Sequence, residues 1–355
     1  MLIKKTIVNN NLTKPKVTVL MPVYNGKKYL GEAIESILNQ TFTDFEFLII
    51  NDGSTDQSTQ IINSFNDLRI KLIKNEENLG LTKSLNKGLD LAKGKYIARM
   101  DADDISLPKR LEIQVKFMDN NPSIGITGSW VKIFGEQIKS FVKKFPANSN
   151  EIMTLLLFNN ALSHPSVIMR KTFLDRNNLK YDETLIYSQD YELWTRAFKH
   201  FRISNIKKVL LLYRVHGKRV TQINSTEQRE NSAEIKTKQL ENLKLIPTIK
   251  ETSVYRQIYK PEKYEINDFL EKVEKWLIKL KKQNKKIKYY KEPQFSTIIS
   301  LWWLTVCSVN IDFSSNIWEK YWKSTLRKNL KFNSYNLLIK FFIKSSIKKY
   351  LKIKI

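Results

Sequence analysis

One cysteine and three histidines in 355 residues leave few ways to build a soft metal centre or a covalent cross-link. Cys307 alone excludes an intramolecular disulfide and a cysteine metal cluster, which fits a reducing compartment. Long apolar runs are also missing. Met1 to Asn11 carries two lysines but no apolar segment of signal-peptide length, so the chain is expected to be cytoplasmic. The longest uncharged stretch, Phe295 to Ile311, is interrupted by Ser, Thr and Asn and is short for a bilayer span, which predicts a buried or interfacial helix. No internal repeat or low-complexity tract occurs, and the length suffices for one large α/β domain plus an appendage.

Positive charge is abundant. A formal net charge of +26 calls for an anionic partner, whether nucleic acid, an acidic membrane surface or a phosphorylated substrate. The excess is concentrated late: Lys281, Lys282, Lys285, Lys286, Lys288 and Lys291 open a basic run that continues to Lys354. A nucleic-acid binder would interleave those cations with exposed aromatics in a recognisable module, and none is found, so nucleic acid is not expected as a partner.

The first hundred residues alternate between two periodicities. Val17 to Met21 reads as a buried strand ended by Pro22, and Tyr29, Leu30, Ala33, Ile34, Ile37 and Leu38 recur at helical spacing. Phe45 to Ile50 is a second strand, followed by Ser54 and Gln57 as a capping box for a helix running to Phe65. Ile70 to Ile73, the face Leu81, Leu85, Leu89 and Ala92, and Tyr96 to Met100 complete four βα alternations. This predicts a doubly wound, mostly parallel sheet with ligands beyond the carboxyl ends of its strands.

Polar clusters fall at those ends. Pro22, Tyr24 and Asn25 follow the first strand, and Asn51, Asp52, Gly53 and Ser54 follow the second. An aromatic face and a carboxylate could hold a nucleobase, although the same residue types also suit ordinary turns. Asp101, Ala102, Asp103 and Asp104 follow a strand that ends in Arg99; such mutually repelling carboxylates suggest a bound cation, or else a solvated loop in which Asp104 or Ser106 caps a helix near Pro108. Lys83 and Asn86 stand near a helix start, where a phosphate could bind. Gln189, Asp190 and Trp194 open another helix, and Asp190 could serve there as an N-cap or as a general base. His216 follows the apolar strand Val209 to Leu212, and His164 precedes Pro165.

Taken in order, the fragments Val-Thr-Val-Leu-Met-Pro-Val-Tyr-Asn (17 to 25), Asn-Asp-Gly-Ser-Thr-Asp (51 to 56), Glu-Asn-Leu-Gly (77 to 80), Arg-Met-Asp-Ala-Asp-Asp (99 to 104), Gln-Asp-Tyr-Glu-Leu-Trp (189 to 194) and Tyr-Arg-Val-His (213 to 216) resemble family-2 glycosyltransferases of the GT-A fold, over about Lys16 to Thr221. The resemblance implies a nucleotide-sugar site formed by Pro22, Tyr24, Asn25, Asp52, Lys83, Asn86, Arg99, Asp101 and Ala102. Asp101 and Asp103 match the Asp-X-Asp motif. Asp103 and His216 are implied ligands of Mn²⁺ or Mg²⁺, Asp190 the catalytic base, and His164, Gln189 and Trp194 the acceptor side. Gln189 departs from the glutamate often found there. The implied reaction is inverting transfer of a hexose or N-acetylhexosamine from a UDP-sugar to a glycan or lipid-linked glycan, as in bacterial lipooligosaccharide, capsule and O-antigen enzymes.

The expected organisation is an extension over 1–15, a GT-A domain over 16–225 (nucleotide-sugar half 16–107, acceptor half 108–225) and a helical basic region over 226–355. In the last of these, Leu337, Leu338, Phe341, Phe342, Ile347 and Leu351 among Lys340, Lys344, Lys348 and Lys349 suit docking on an anionic cytoplasmic leaflet, or a solvated basic face over a small core. Two rivals remain from the sequence. A sugar nucleotidyltransferase would need a glycine-rich basic loop after the first strand, which Pro22 to Gly26 does not offer. A non-catalytic glycan-binding homologue is separable only by a transfer or hydrolysis assay.

Overall fold

The computed structural model describes residues 14–136, 138–216, 225–258, 266–311, 316–330 and 335–352. Those residues divide into two compact units, one within 1–145 and 162–223, the other within 146–161 and 224–355.

In the first unit, β1 (Val17–Val23) is buried at every position, as expected of a parallel strand covered on both faces. It leads through α1 (Leu30–Leu38), which buries Leu30, Ala33, Ile34 and Ile37, into β2 (Phe45–Asn51). Then follow α2 (Ser58–Asn63), β3 (Ile70–Lys74), α3 (Leu81–Leu91) and β4 (Tyr96–Arg99). Helix α2 is shorter than the sequence predicts and the capping box is not made; the Ser54 hydroxyl instead accepts a hydrogen bond from the Asn25 backbone N–H. Strands β1 to β4 are parallel, with Val17 beside both Phe45 and Tyr96. Helix α3 packs so tightly on β1 that a Cβ at Gly88 would lie 2.2 Å from Leu20 Cδ1.

The chain continues through the short β5 (Ile105–Ser106), α4 (Arg110–Asn120), the long β6 (Ile124–Gly135) and the exposed β7 (Ile138–Lys143). After α5 (Ser149–Leu155) come β8 (Ile168–Arg170), α6 (Lys171–Arg176), α7 (Gln189–Ala197) and β9 (Arg202–Arg214). The sheet order is β3-β2-β1-β4-β8-β6-β9-β5, with β7 on β6. This is the α/β architecture that the alternation predicts, extended by antiparallel β8 and β5.

The second unit is helical. Ile266–Ile287 buries Phe269, Leu270, Val273, Trp276, Leu277 and Leu280 at spacings of three and four, which makes one continuous apolar stripe. The stretch expected to be a buried helix is Gln294–Asn310, with Phe295, Ile299, Trp303 and Leu304 in the core. Burying each such side chain contributes about 1.5–3 kcal/mol. Segment 146–161 belongs here rather than with the acceptor half, because Leu157 and Phe158 lie in this core and the Tyr255 hydroxyl donates to the Leu157 carbonyl. Among the described residues, no helix is long and apolar enough to cross a membrane.

Candidate functional site

Parallel neighbours present their carboxyl ends on one edge of a sheet, so β1, β2 and β4 deliver Tyr24, Asp52 and Asp101 to Asp104 to the same rim. Strand β8 runs against β4, and β6 runs against β8, so β6 and its parallel partner β9 regain the direction of β4. Arg214 and His216 therefore arrive beside the acidic cluster, although Arg214 lies 110 positions beyond Asp104. The helical turn His164–Ser166 just before β8 reaches that rim as well.

Oxygens of Asp101, Asp103 and Asp104 all lie within 4.8 Å of one another. Three such charges persist only with compensation. Asp101 Oδ1 is 2.5 Å from Arg99 Nη2, and Asp103 Oδ2 is 2.9 Å from His216 Nε2. Asp104 is buried and accepts from the Arg214 backbone N–H at 2.9 Å, so it does not cap the following helix. The Arg214 guanidinium donates to the Asp103 carbonyl and to Glu32 and covers the Tyr29 ring, which in turn lies 5.0 Å from His216. Asp101, Asp103 and Asp104 thus form an oxygen set of the kind that suits Mg²⁺ or Mn²⁺, with the His216 imidazole against Asp103.

Arg99 is buried, yet its Nε and Nη1 have no hydrogen-bond partner among the described residues. Unpaired buried donors are rare in native proteins and call for an acceptor. Beneath it lies buried Arg110, whose Nη2 donates to the Arg99 carbonyl at 2.6 Å. Burial, then the Arg99 charge, pushes the Arg110 pKa down to about 9, which leaves it cationic at neutral pH.

On the nucleotide side the expected residues separate into two kinds. Tyr24 is 51% exposed and open to a stacking partner, Lys83 is exposed on α3, and Ala102 is half-buried close to Gly26. The others are occupied by the protein itself. Pro22 is buried in β1 beside Ile50. Asn25 adopts a left-handed φ of 49°, and its Oδ1 accepts from the Thr55 and Asp56 N–H groups. Asp52 is buried and accepts from Asn75 Nδ2 at 2.7 Å and from the Leu79 and Gly80 N–H groups at 3.0 Å. It thereby holds the 77–80 turn against Gly53, where a Cβ would lie 2.5 Å from the Glu77 carbonyl carbon. Asn86, expected at a phosphate, is corrected to a brace. Its amide donates to the Tyr181 carbonyl and to Glu183 and accepts from the Tyr181 N–H.

Helix α7 follows Ser188, which is left-handed at φ 63°, and carries partly buried Asp190 in its first turn, where the helix dipole favours a carboxylate. Gln189 is buried. Trp194 is wholly buried and packs edge-on against His164 at 5.9 Å, so it forms the wall behind the site rather than an acceptor platform. His164 Nε2 lies 2.8 Å from the Tyr181 hydroxyl. Burial holds the Tyr181 phenol above its usual range; Arg99 opposes this, while Asp190 and Asp101 reinforce it. Tyr181 and Arg110 carry no sequence signal, since each lies away from the polar strand ends, whereas Asn75 stands at one, directly after β3. Arg214, two positions before His216, is the cation that the acidic cluster should have suggested.

Burial, reinforced by the Arg99 charge, keeps the His164 imidazole well below the usual histidine range and hence neutral. Unfolding restores a value near 6.5, so below that pH the unfolded chain binds the extra proton and stability falls as pH drops. Denaturant titrations at pH 7.5 and 5.5 should differ by about 1.4 kcal/mol in total from this group, most of it lost below pH 6.5. His164→Gln should remove that component, and an unchanged pH dependence would refute it.

The family described as Glycosyl transferase family 2 matches residues 18–194. An uncharacterized glycosyltransferase of Methanocaldococcus jannaschii is 43% identical over 212 residues, which are 58% of this chain and 72% of that protein. The O-antigen biosynthesis glycosyltransferase WbnJ of Escherichia coli is 35% identical over 211 residues, 57% of this chain and 80% of that protein. The crystal structure of S. aureus TarS 1–349 with UDP-GlcNAc superposes with a TM-score of 0.55 at 20% identity, covering 87% of this chain and 92% of that one, a likeness of fold. A parallel sheet with this rim, a sequence match over most of it and relatives at this identity together establish that the chain belongs to glycosyltransferase family 2 and has the GT-A fold.

Proposed function

We propose that the chain transfers a hexose or N-acetylhexosamine from a UDP-sugar to a surface glycan held on a lipid carrier, with inversion to a β-linkage, at the cytoplasmic face of an anionic membrane. The O-antigen role in the name of the Escherichia coli relative supports the acceptor class, and the UDP-GlcNAc bound to the structural neighbour supports the donor class. The observation that carries the mechanism is the acidic cluster at the carboxyl rim, where oxygens of Asp101, Asp103 and Asp104 lie within 4.8 Å of one another and His216 stands 2.9 Å from Asp103.

In this reading Tyr24 stacks on the base, Lys83 attracts the phosphates, and buried Arg99 positions Asp101 toward the donor substrate. Asp101, Asp103 and His216 would hold Mn²⁺ or Mg²⁺, which supplies charge stabilisation to the departing diphosphate. Asp190 takes the proton from the acceptor hydroxyl as its oxygen attacks the anomeric carbon from the face opposite the leaving group, through an oxocarbenium-like state. One base and no covalent intermediate give inversion.

A thermal-shift screen of UDP-, GDP- and dTDP-sugars, with and without Mn²⁺, tests the donor. A ligand at one hundred times its Kd adds about 2.7 kcal/mol to stability. The expected result is a rise in Tm for a UDP-sugar that depends on the metal. Stabilisation by another nucleotide sugar alone, or by none, would overturn the assignment.

A further inference from the structure

Building on the reading that the acceptor is lipid-borne, we infer that the helical unit docks on a bilayer containing anionic phospholipid through one outward strip. In it Trp322, Ile339, Phe342 and Ile343 enter the headgroup boundary, while Arg327, Lys340 and Lys344 meet lipid phosphates.

The apolar residues of the terminal helix Tyr335–Lys352 do not form one face. Phe341 is buried against the Trp318 and Tyr321 rings, and Leu337 and Leu338 pack on the core, so these three are unavailable to a membrane. The side chains of Ile347, Lys348, Lys349 and Leu351 lie outside the described residues. Ile339, Phe342 and Ile343 are 54%, 51% and 50% exposed. Standing at i, i+3 and i+4, they share one outward face, with exposed Lys340 and Lys344 beside it.

The neighbouring helix Ile317–Lys323 extends this face. Trp318 lies 5.1 Å from the Phe342 ring and 5.5 Å from that of Trp322, so the strip is continuous, and Trp322 is 41% exposed with the Arg327 guanidinium 4.8 Å from its ring centroid. A helix face turned to water is normally polar. Here it is aromatic and aliphatic and flanked by cations.

Charge selects the occupant. From Lys320 to the end of the sequence there are eleven lysines and arginines and no acidic residue, and Glu319 just before them is paired with Lys323 at 2.6 Å. A second copy would set like charges against each other. Nucleic acid would satisfy the cations but leave the isoleucines without a partner. An anionic leaflet satisfies both, because apolar side chains enter the acyl boundary while lysines snorkel to phosphate and tryptophan sits at the interface.

Flotation of the full chain with vesicles tests the proposal without nucleotide or acceptor, so its outcome is independent of the transfer reaction. Binding is expected to vesicles of phosphatidylcholine and phosphatidylglycerol in a 7:3 ratio, to weaken at high salt, and to be at least tenfold poorer on phosphatidylcholine alone. Combining Trp322→Ser, Phe342→Ser and Ile343→Ser should lower binding to the anionic vesicles at least tenfold while the chain still melts cooperatively, since these side chains lie at the surface and lose only their ring contacts to Trp318, Tyr321 and Arg327. Brominated lipid should quench tryptophan fluorescence in the unaltered chain, and Trp322→Phe should remove most of that quenching. Absence of vesicle binding, unaltered binding by the triple variant, or binding without quenching would each overturn the proposal. So would a concentration-dependent dimer that the triple variant dissolves.

Discussion

Asp190→Asn is expected to lower turnover by about 10² to 10⁴-fold, the usual consequence of removing one positioned general base, while leaving the affinity for UDP and metal unchanged. Asn is isosteric with Asp, and the side chain is only partly buried in the first turn of α7. The structural cost includes the favourable term between a carboxylate and the helix N-terminus, about 0.3–1 kcal/mol. Loss of kcat with unchanged UDP binding and a nearly unchanged Tm would therefore locate the effect in proton transfer. The pH profile supplies a second readout, because the limb that reports ionisation of the base should disappear in the variant. A variant that keeps near-normal turnover would remove Asp190 from the chemistry, and the neutral His164 beside Tyr181 would become the group to test next.

Asp103→Ala should act on binding. Asp103 Oδ2 stands 2.9 Å from His216 Nε2 and is only partly buried, so its removal takes away one oxygen ligand and frees the imidazole to rotate without opening the core. Replacing a residue that merely orients a metal ligand already costs 10–100-fold in metal affinity, and loss of a ligand itself should cost at least that much. Titration calorimetry with UDP is expected to show a Mn²⁺-dependent gain in the unaltered chain that is absent in the variant, with similar weak affinity for both in chelator. Buried Asp104 keeps its hydrogen bond to the Arg214 N–H, so the loop should survive. An unchanged metal-dependent gain would show that Asp103 is not a ligand and that its pairing with His216 is structural.

Local periodicity made the βα alternation legible. The buried run of β1, the spacing of Leu30, Ala33, Ile34 and Ile37 in α1 and the polar clusters after β1, β2 and β4 are properties of short segments, and they point to a parallel sheet with a site at its rim. The site residues were harder to read. Asn25, Asp52 and Asn86 have the chemistry of ligand contacts and stand where ligands bind, but most of their hydrogen bonds go to loop backbone, to Asn75 and to Glu183. A residue type declares which donors and acceptors it owns, not where they go. Trp194 fails for a related reason, since an aromatic side chain at a helix start fits a sugar platform or a core wall equally well until burial decides.

By itself the sequence determined the fold class, the acidic motif and the basic character of the second unit, because each follows from residue order within about twenty positions. Tertiary structure decided which carboxylates are paired with which cations. It did so by inserting antiparallel β8 between β4 and β6, which returns β9 to the direction of β4 and carries His216 to Asp103 and Arg214 to Asp104. It also decided which side of the terminal helix is covered, turning Phe341 inward and Phe342 outward. Both outcomes depend on packing between segments far apart in the chain, and no local pattern encodes that.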